Sequence, residues 1–447
     1  MSLTKVTYSM ISGASVNALD YGVSASNTAA QNDAAFALAV TAAQNKTLYI
    51  PAGIYSISAT ILITYTGSTN RSTNIIGEGL GTQLKWMGGN SVPVINYLVS
   101  GVDQNAVMSV VEKIYITNGN SATNLTGIRI GDISHIGTGG ACNFTVRNNR
   151  IDSCWTGIQI YYESDQVSIH DNHISAYTAT GIQNSGSTAC RIENNHCQNG
   201  ATGTWSVYSN KGNTIVMGNV LQSDNAGAIW LENANDFTVL NNYSECGLDA
   251  TGTNFLKLTN CISGFVANNN VGGYRGVDIY TLDATCNGVT FGPNRHAQSG
   301  GYPTSLIKVA AGATNICLAG EQITDASFSP GPKFSGTLTA GWQSGVDYGT
   351  LFSSLIAGGA ADSWLGALSI QTIAAGEAYL ISASMSNTSH FNLVSVVQLN
   401  DYGGSAVVTN IASSSAQFYL QVSGSNIQLV NNTGVTETMR YNIIRIK

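Results

Sequence analysis

Through the middle of the chain, apolar and polar residues alternate in short runs. Alternation with period two predicts strands that bury one face. These runs belong to a repeat. It reads FTVRNNRI, VSIHDNHI, CRIENNHC, TIVMGNVL, FTVLNNYS, GFVANNNV and VTFGPNRH between Phe144 and His296. The matching asparagines are Asn149, Asn172, Asn195, Asn219, Asn242, Asn269 and Asn294, spaced by subtraction 23, 23, 24, 23, 27 and 25 residues apart. After each motif and a variable loop comes a further short strand, GIQI, GIQN, SVYS, AIWL, FLKL and GVDI.

One such coil cannot bury its own apolar face, but stacked coils can, at about 4.8 Å per step. The repeat therefore predicts an all-β chain built as a right-handed parallel β-helix, with the asparagines bonded into a ladder. A propeller would need blades of about 40 residues. Near the N-terminus, Asn32 or Asp33 is expected to cap a helix presenting Phe36, Ala39, Val40 and Ala43 on one face. That helix would close the open end of the stack. Residues 1–60 are thus read as a helical cap and 61–327 as the β-helix. Pro and Gly cluster near ASFSPGPKFSGT, where the repeat stops. Residues 328–447 alternate in β fashion and are expected to form a C-terminal β-sandwich.

Composition narrows the function. Of 447 residues only 10% are charged, and the net charge is −7. No Lys/Arg cluster suits nucleic acid, and none is expected as a partner. Gly (49) and Asn (44) are abundant, as tight turns require. No apolar run reaches the ~18 residues of a membrane span, so no insertion is expected. No secretory signal is legible at the N-terminus. The eight cysteines include no CxxC pair and read as reduced, buried thiols. No His/Asp spacing matches a metal site, and no cofactor motif occurs with its required context, so neither a metal nor a cofactor is expected.

The N-terminal pattern DYG…ND…IPAGIY, followed by Asn-turn coils, resembles the pectate-lyase-like β-helix superfamily. Within it, the chain is most similar to bacteriophage tailspikes and capsule depolymerases. The resemblance covers roughly residues 14–325. It implies a homotrimer attached to a virion tail or adaptor protein, made in the host cytoplasm and acting at the bacterial surface. It implies a bacterial surface polysaccharide as partner, held on the strand after the variable loop, and a C-terminal domain that trimerises or binds sugar. The family's usual N-terminal virion-attachment domain is not seen.

Alternation along that strand predicts two outward columns. One holds Gln159, Gln183, Tyr208, Trp230, Lys257 and Asp278. The other holds Tyr161, Ser185, Asn210, Glu232, Thr259 and Tyr280. Aromatic faces at Trp230, Tyr208, Tyr161 and Tyr280 suit sugar rings, with Lys257 and Arg275 as polar partners. Glu232 and Asp278 are the first catalytic pair, with Cα atoms expected roughly 11–12 Å apart. Paired carboxylates cleave glycosidic bonds as acid and base. Exposed carboxylates on such a stack are also commonly just solvated. Loops add Glu245 and Asp249 as the next catalytic candidates, then Asp224, Glu163, Asp165, Asp236 and Asp283. A second cluster places Arg147, His170 and Glu193 outward before the Asn turn, and Arg150, His173 and His196 after it. It would bind an acidic sugar, supply the base of a β-elimination, or simply stabilise the stack. The main expectation is hydrolytic depolymerisation of capsule or O-antigen; the rivals are a lyase and a non-catalytic receptor-binding fibre.

Overall fold

The computed structural model describes residues 14–318, apart from 67–71, 101–107, 132–142, 162–165, 224–226, 247–253, 275–276 and 298–304. Beyond residue 318 it describes strands only. Three long parallel sheets of 12, 11 and 11 strands form the body. We call them the pre-turn, floor and post-turn sheets. The pre-turn sheet runs from Val16–Asn17 to Cys317–Leu318, and the post-turn sheet from Gly53–Ile57 to Gln322–Ile323. The floor sheet runs from Ile61–Thr66 to Phe334–Gly336. Each coil gives one strand to each sheet, so the fold is a right-handed parallel β-helix.

Helix α1 (Ala29–Ala42) closes the N-terminal end. Its N-cap is Thr28, within a capping box completed by Gln31, and not Asn32 or Asp33. Those two residues tie the helix to the stack instead. The buried Asn32 accepts from Ser24 N at 3.0 Å and donates to Ser56 O at 3.0 Å. Asp33 accepts from Ser58 N (2.8 Å) and Ala59 N (3.0 Å). Phe36, Ala39 and Ala43 are buried against the first coils, as the pattern requires.

The asparagine ladder forms as expected. Asn149 N and Nδ2 both donate to Asn172 Oδ1, at 3.1 and 3.0 Å, and the same pair of bonds recurs up to Asn294. The preceding residue turns the chain at positive φ: Asn148, Asp171, Asn194, Gly218, Asn241 and Asn268. Asn, Asp and Gly tolerate that conformation best, which explains the doubled asparagines. Between the sheets run buried columns, for example Val146, Ile169, Ile192, Val216, Val239 and Val266. Cys154, Cys190, Cys197, Cys261 and Cys286 are free, buried thiols within this core. Burial pushes the first three up to about 12, which leaves them inert.

Beyond the last parallel strand, eight strands from Leu351–Ser353 to Met439–Ile446 pair antiparallel into sheets of five and three. Whether those sheets pack as the expected sandwich lies outside the described residues.

Candidate carbohydrate site

The floor sheet carries the candidate site on its outward face. Its central column runs in register through Arg129, Gln159, Gln183, Tyr208, Trp230, Lys257, Thr281 and Lys308. The rings of Tyr208 and Trp230 lie 4.9 Å apart at 60°. Trp205 joins them, 5.8 Å from Trp230. Its partner in the coil above is Gly227, where a Cβ would fall 2.3 Å from the Trp205 ring. The glycine therefore leaves the room the indole occupies. Trp230 Nε1 donates to Thr259 Oγ1 at 3.1 Å, which fixes the indole plane. Lys257 Nζ sits 4.1 Å over the same ring.

Beside this aromatic group stands Glu232, half-buried. Tyr208 donates its hydroxyl to Glu232 Oε2 at 2.5 Å. Burial, then the neighbouring carboxylate, pushes the Tyr208 phenol above its ordinary range, so it stays a donor. One coil below Glu232 is Asn210, whose Oδ1 is buried without a hydrogen-bond donor.

Two expected placements are corrected by the register. Lys257 pairs with Thr281, not Asp278, so the strand lies three residues later than the Gly-anchored alignment. Tyr280 therefore points inward and is fully buried, edge-on to Phe255 (5.6 Å) and Phe291 (5.3 Å). It does not line the floor. Asp278 aligns with Ser305, near the opposite end of the strand from Glu232, and forms an ion pair with Lys308 at 3.1 Å. Strand spacing and rise then separate the Glu232 and Asp278 Cα atoms by roughly 19 Å. They do not face each other as a pair. The residue brought into the Glu232 column is Asp283, just past the Leu258–Leu282 match and two coils above. Asp283 Oδ1 accepts from Asn260 N (3.1 Å), Thr285 N (3.0 Å) and Thr285 Oγ1 (2.8 Å). These donors outweigh partial burial and hold the carboxyl below its ordinary range.

The other candidates fall elsewhere. Glu245 is on the post-turn sheet, accepting from Tyr243 OH at 2.8 Å, and not beside Glu232. Asp236 sits at an exposed turn with positive φ. Tyr161 is at the loop edge of the floor, with Arg129 5.3 Å from its ring centroid. Asp249, Arg275, Asp224, Glu163 and Asp165 lie outside the described residues. Arg129 and Trp205 were not singled out from sequence. Trp205 opens its strand, a position whose outward side the alternation did not reveal.

The Arg/His/Glu cluster forms as two columns on other sheets. Arg147, His170 and Glu193 stack on the pre-turn sheet. Arg147 pairs with Glu112 at 2.5 Å, His170 with Asp171 at 2.7 Å, and Glu193 with Arg191 at 3.7 Å. Arg150, His173 and His196 stack on the post-turn sheet. The two imidazoles are 4.7 Å apart, and Arg150 pairs with Asp152 at 2.8 Å. Desolvation first, then His196, lowers the His173 pKa from its ordinary value.

The family described as periplasmic copper-binding protein (NosD) matches residues 61–245, less than half of the chain. Among the described residues, no three His, Cys, Asp or Glu side chains are grouped to hold a metal. Among the described residues His173 and His196 have no third such ligand, and the described cysteines are buried in the core, so the described residues do not fit a copper site. Among the described residues, no helix is long and apolar enough to cross a membrane. No curated protein sequence matches the chain. Solved structures do. DFA-IIIase from Arthrobacter chlorophenolicus A6 aligns at TM-score 0.53 and 14% identity, over 72% of this chain and 86% of that one. The A-module of the mannuronan C-5 epimerase AlgE4 from Azotobacter vinelandii aligns at 0.50 and 16%, over 72% and 97%. The enzymatically active domain of tailspike protein 2 from bacteriophage CBA120 aligns at 0.50 and 12%, over 96% and 76%. At these identities the likeness is one of fold: the chain shares the right-handed parallel β-helix of a phage tailspike and of enzymes that act on carbohydrate.

Proposed function

We propose that this chain is a phage tailspike that binds and depolymerises a bacterial surface polysaccharide, capsule or O-antigen, on the outward face of the floor sheet. The observation that carries the reading is the Trp205–Tyr208–Trp230 cluster around Glu232, with Lys257 over the Trp230 face. Flat aromatic area for sugar faces and a carboxylate that accepts from hydroxyls are parts of a glycan site.

The proposed chemistry is hydrolysis by Glu232 and Asp283. Two coils separate their Cα atoms by about 10 Å, so carboxyls leaning together reach the ~6.5–9.5 Å spacing of an inverting pair. Asp283, kept ionised by its turn, activates water; Glu232 protonates the leaving oxygen. A homotrimer on a virion tail belongs to the same reading, supported by the likeness of fold to a tailspike domain.

Elimination is the second reading. Lys257 would neutralise a uronate while the Glu232 carboxylate takes the C5 proton and the Tyr208 phenol, kept protonated, gives its proton to the leaving oxygen as the C4–O bond breaks and a C4–C5 double bond forms. Mass spectrometry of fragments released from a panel of encapsulated and O-antigen-bearing strains decides. Whole repeat units plus water establish hydrolysis. Fragments lighter by one water, absorbing in the ultraviolet, establish elimination. Saturable binding to a susceptible strain without fragments leaves only a receptor-binding fibre.

A further inference from the structure

The outward column of the floor holds three described cations in a chain of net charge −7. Two are engaged by neighbours. Arg129 Nε donates to Gln159 Oε1 at 2.9 Å, and Lys308 pairs with Asp278 at 3.1 Å. Lys257 differs. Among the described residues no carboxylate lies within ion-pair distance of it, and its contact is the face of Trp230. The nearest floor carboxylate in sequence register, Glu232, is taken by Tyr208 OH. A half-buried ammonium held over an indole, one residue column from the candidate acid, has no described counter-charge and stands ready for an anionic ligand.

We propose that Lys257 selects an anionic polysaccharide, one carrying a uronate or another acidic substituent on the sugar bound at Trp230. This rests on the floor sheet being the glycan site. In the free protein the ammonium covers the indole face. When the acidic sugar arrives, its carboxylate draws Nζ off the ring and the freed face stacks on the sugar. The exchange replaces a cation–π contact by a charge-assisted bond and exposes the aromatic platform only to a ligand bearing negative charge. A neutral glycan would have to displace the ammonium into water without such compensation. The site thus discriminates by charge before any bond is cleaved.

The test uses the full-length protein and a panel of purified neutral and acidic capsular and O-antigen polysaccharides. Affinity is measured at two salt concentrations. The polysaccharide that binds is then reduced at its carboxyl groups to the neutral sugar and measured again. The expected ligand is acidic, binds more weakly at the higher salt, and loses roughly tenfold or more in affinity on carboxyl reduction. Lys257→Gln should show the same loss with the native ligand and no further loss with the reduced one. Trp230→Ala should weaken both. A neutral ligand, or equal binding of native and reduced polysaccharide, overturns the inference and leaves the groove intact. A ligand whose binding is indifferent to both Trp230→Ala and Glu232→Gln places it elsewhere and overturns the floor as the site, with this inference. Failure of the whole panel to bind does the same.

Discussion

The outer faces of the floor and pre-turn sheets are built from the same coils, yet they use charge differently. On the pre-turn sheet, Arg147 and Glu193 each find an opposite charge within 4 Å, and His170 Nδ1 is hydrogen-bonded to Asp171. On the floor, Glu232 is bonded by a phenol, Lys257 rests on an indole, and Asn210 Oδ1 has no donor. A face whose charges are mutually satisfied contributes solubility and little else. The floor instead sets an ammonium without a counter-charge beside aromatic rings, and the proposed glycan site rests on that difference. Residue type alone did not separate the two, since both carry Arg or Lys and Glu. Pairing did.

Changing that contrast has graded consequences. Replacing Glu232 by Gln keeps the shape and removes the acid, so fragment release should fall by roughly 10²–10⁴-fold. Unchanged thermal melting with lost turnover would assign the loss to chemistry; retained turnover would sink the role. Asn195→Ala strikes the ladder common to both faces. It removes a side chain that donates to Asn219 Oδ1 and Ile169 O and accepts from Asn172. Several buried groups are left unmade, so urea denaturation should show a loss of about 3 kcal/mol or more. Trp230→Ala should weaken polysaccharide binding by about 2 kcal/mol, with stability little changed, as measured by isothermal calorimetry.

The pre-turn face should respond far less. Arg191 is well exposed and 3.7 Å from Glu193, so Arg191→Ala should shift stability by no more than about 0.5 kcal/mol and leave fragment release unaltered. The smallest effect concerns pH. His173 is held below its ordinary value of 6.5 in the fold, chiefly by desolvation and His196. The unfolded chain therefore takes up the proton first. Its contribution is intact above pH 6.5 and declines as pH falls through the lowered folded value. His173→Gln should flatten that acid-side slope slightly, and an unchanged slope would refute the assignment.

Much of this was legible from the chain. The asparagine spacing predicted the parallel stack, and each ladder bond follows from one residue recurring at one turn. The outward placement of Trp230, Tyr208, Lys257 and Glu232 followed from alternation. The register of the next coil did not. Anchoring on glycine matched Gly276 to Phe255 and sent Asp278 and Tyr280 to the floor. The better signal was the leucine before a polar residue in LE, LT and LD, because Leu231, Leu258 and Leu282 stack in the core. Loops between strands vary in length and carry no ruler, whereas a buried column does.

The sequence by itself therefore determined the coil, the ladder and which strands share a face, because those depend on a local period of two residues within a longer repeat of about 24. Tertiary structure alone decided which side chains of different coils meet. It brought Asp283 rather than Asp278 above Glu232, gave Asp278 to Lys308, and left Lys257 on Trp230. Those outcomes turn on a three-residue shift between strands. The shift is settled by packing Tyr280 against Phe255 and Phe291 in the core, a contact between coils that no single coil encodes.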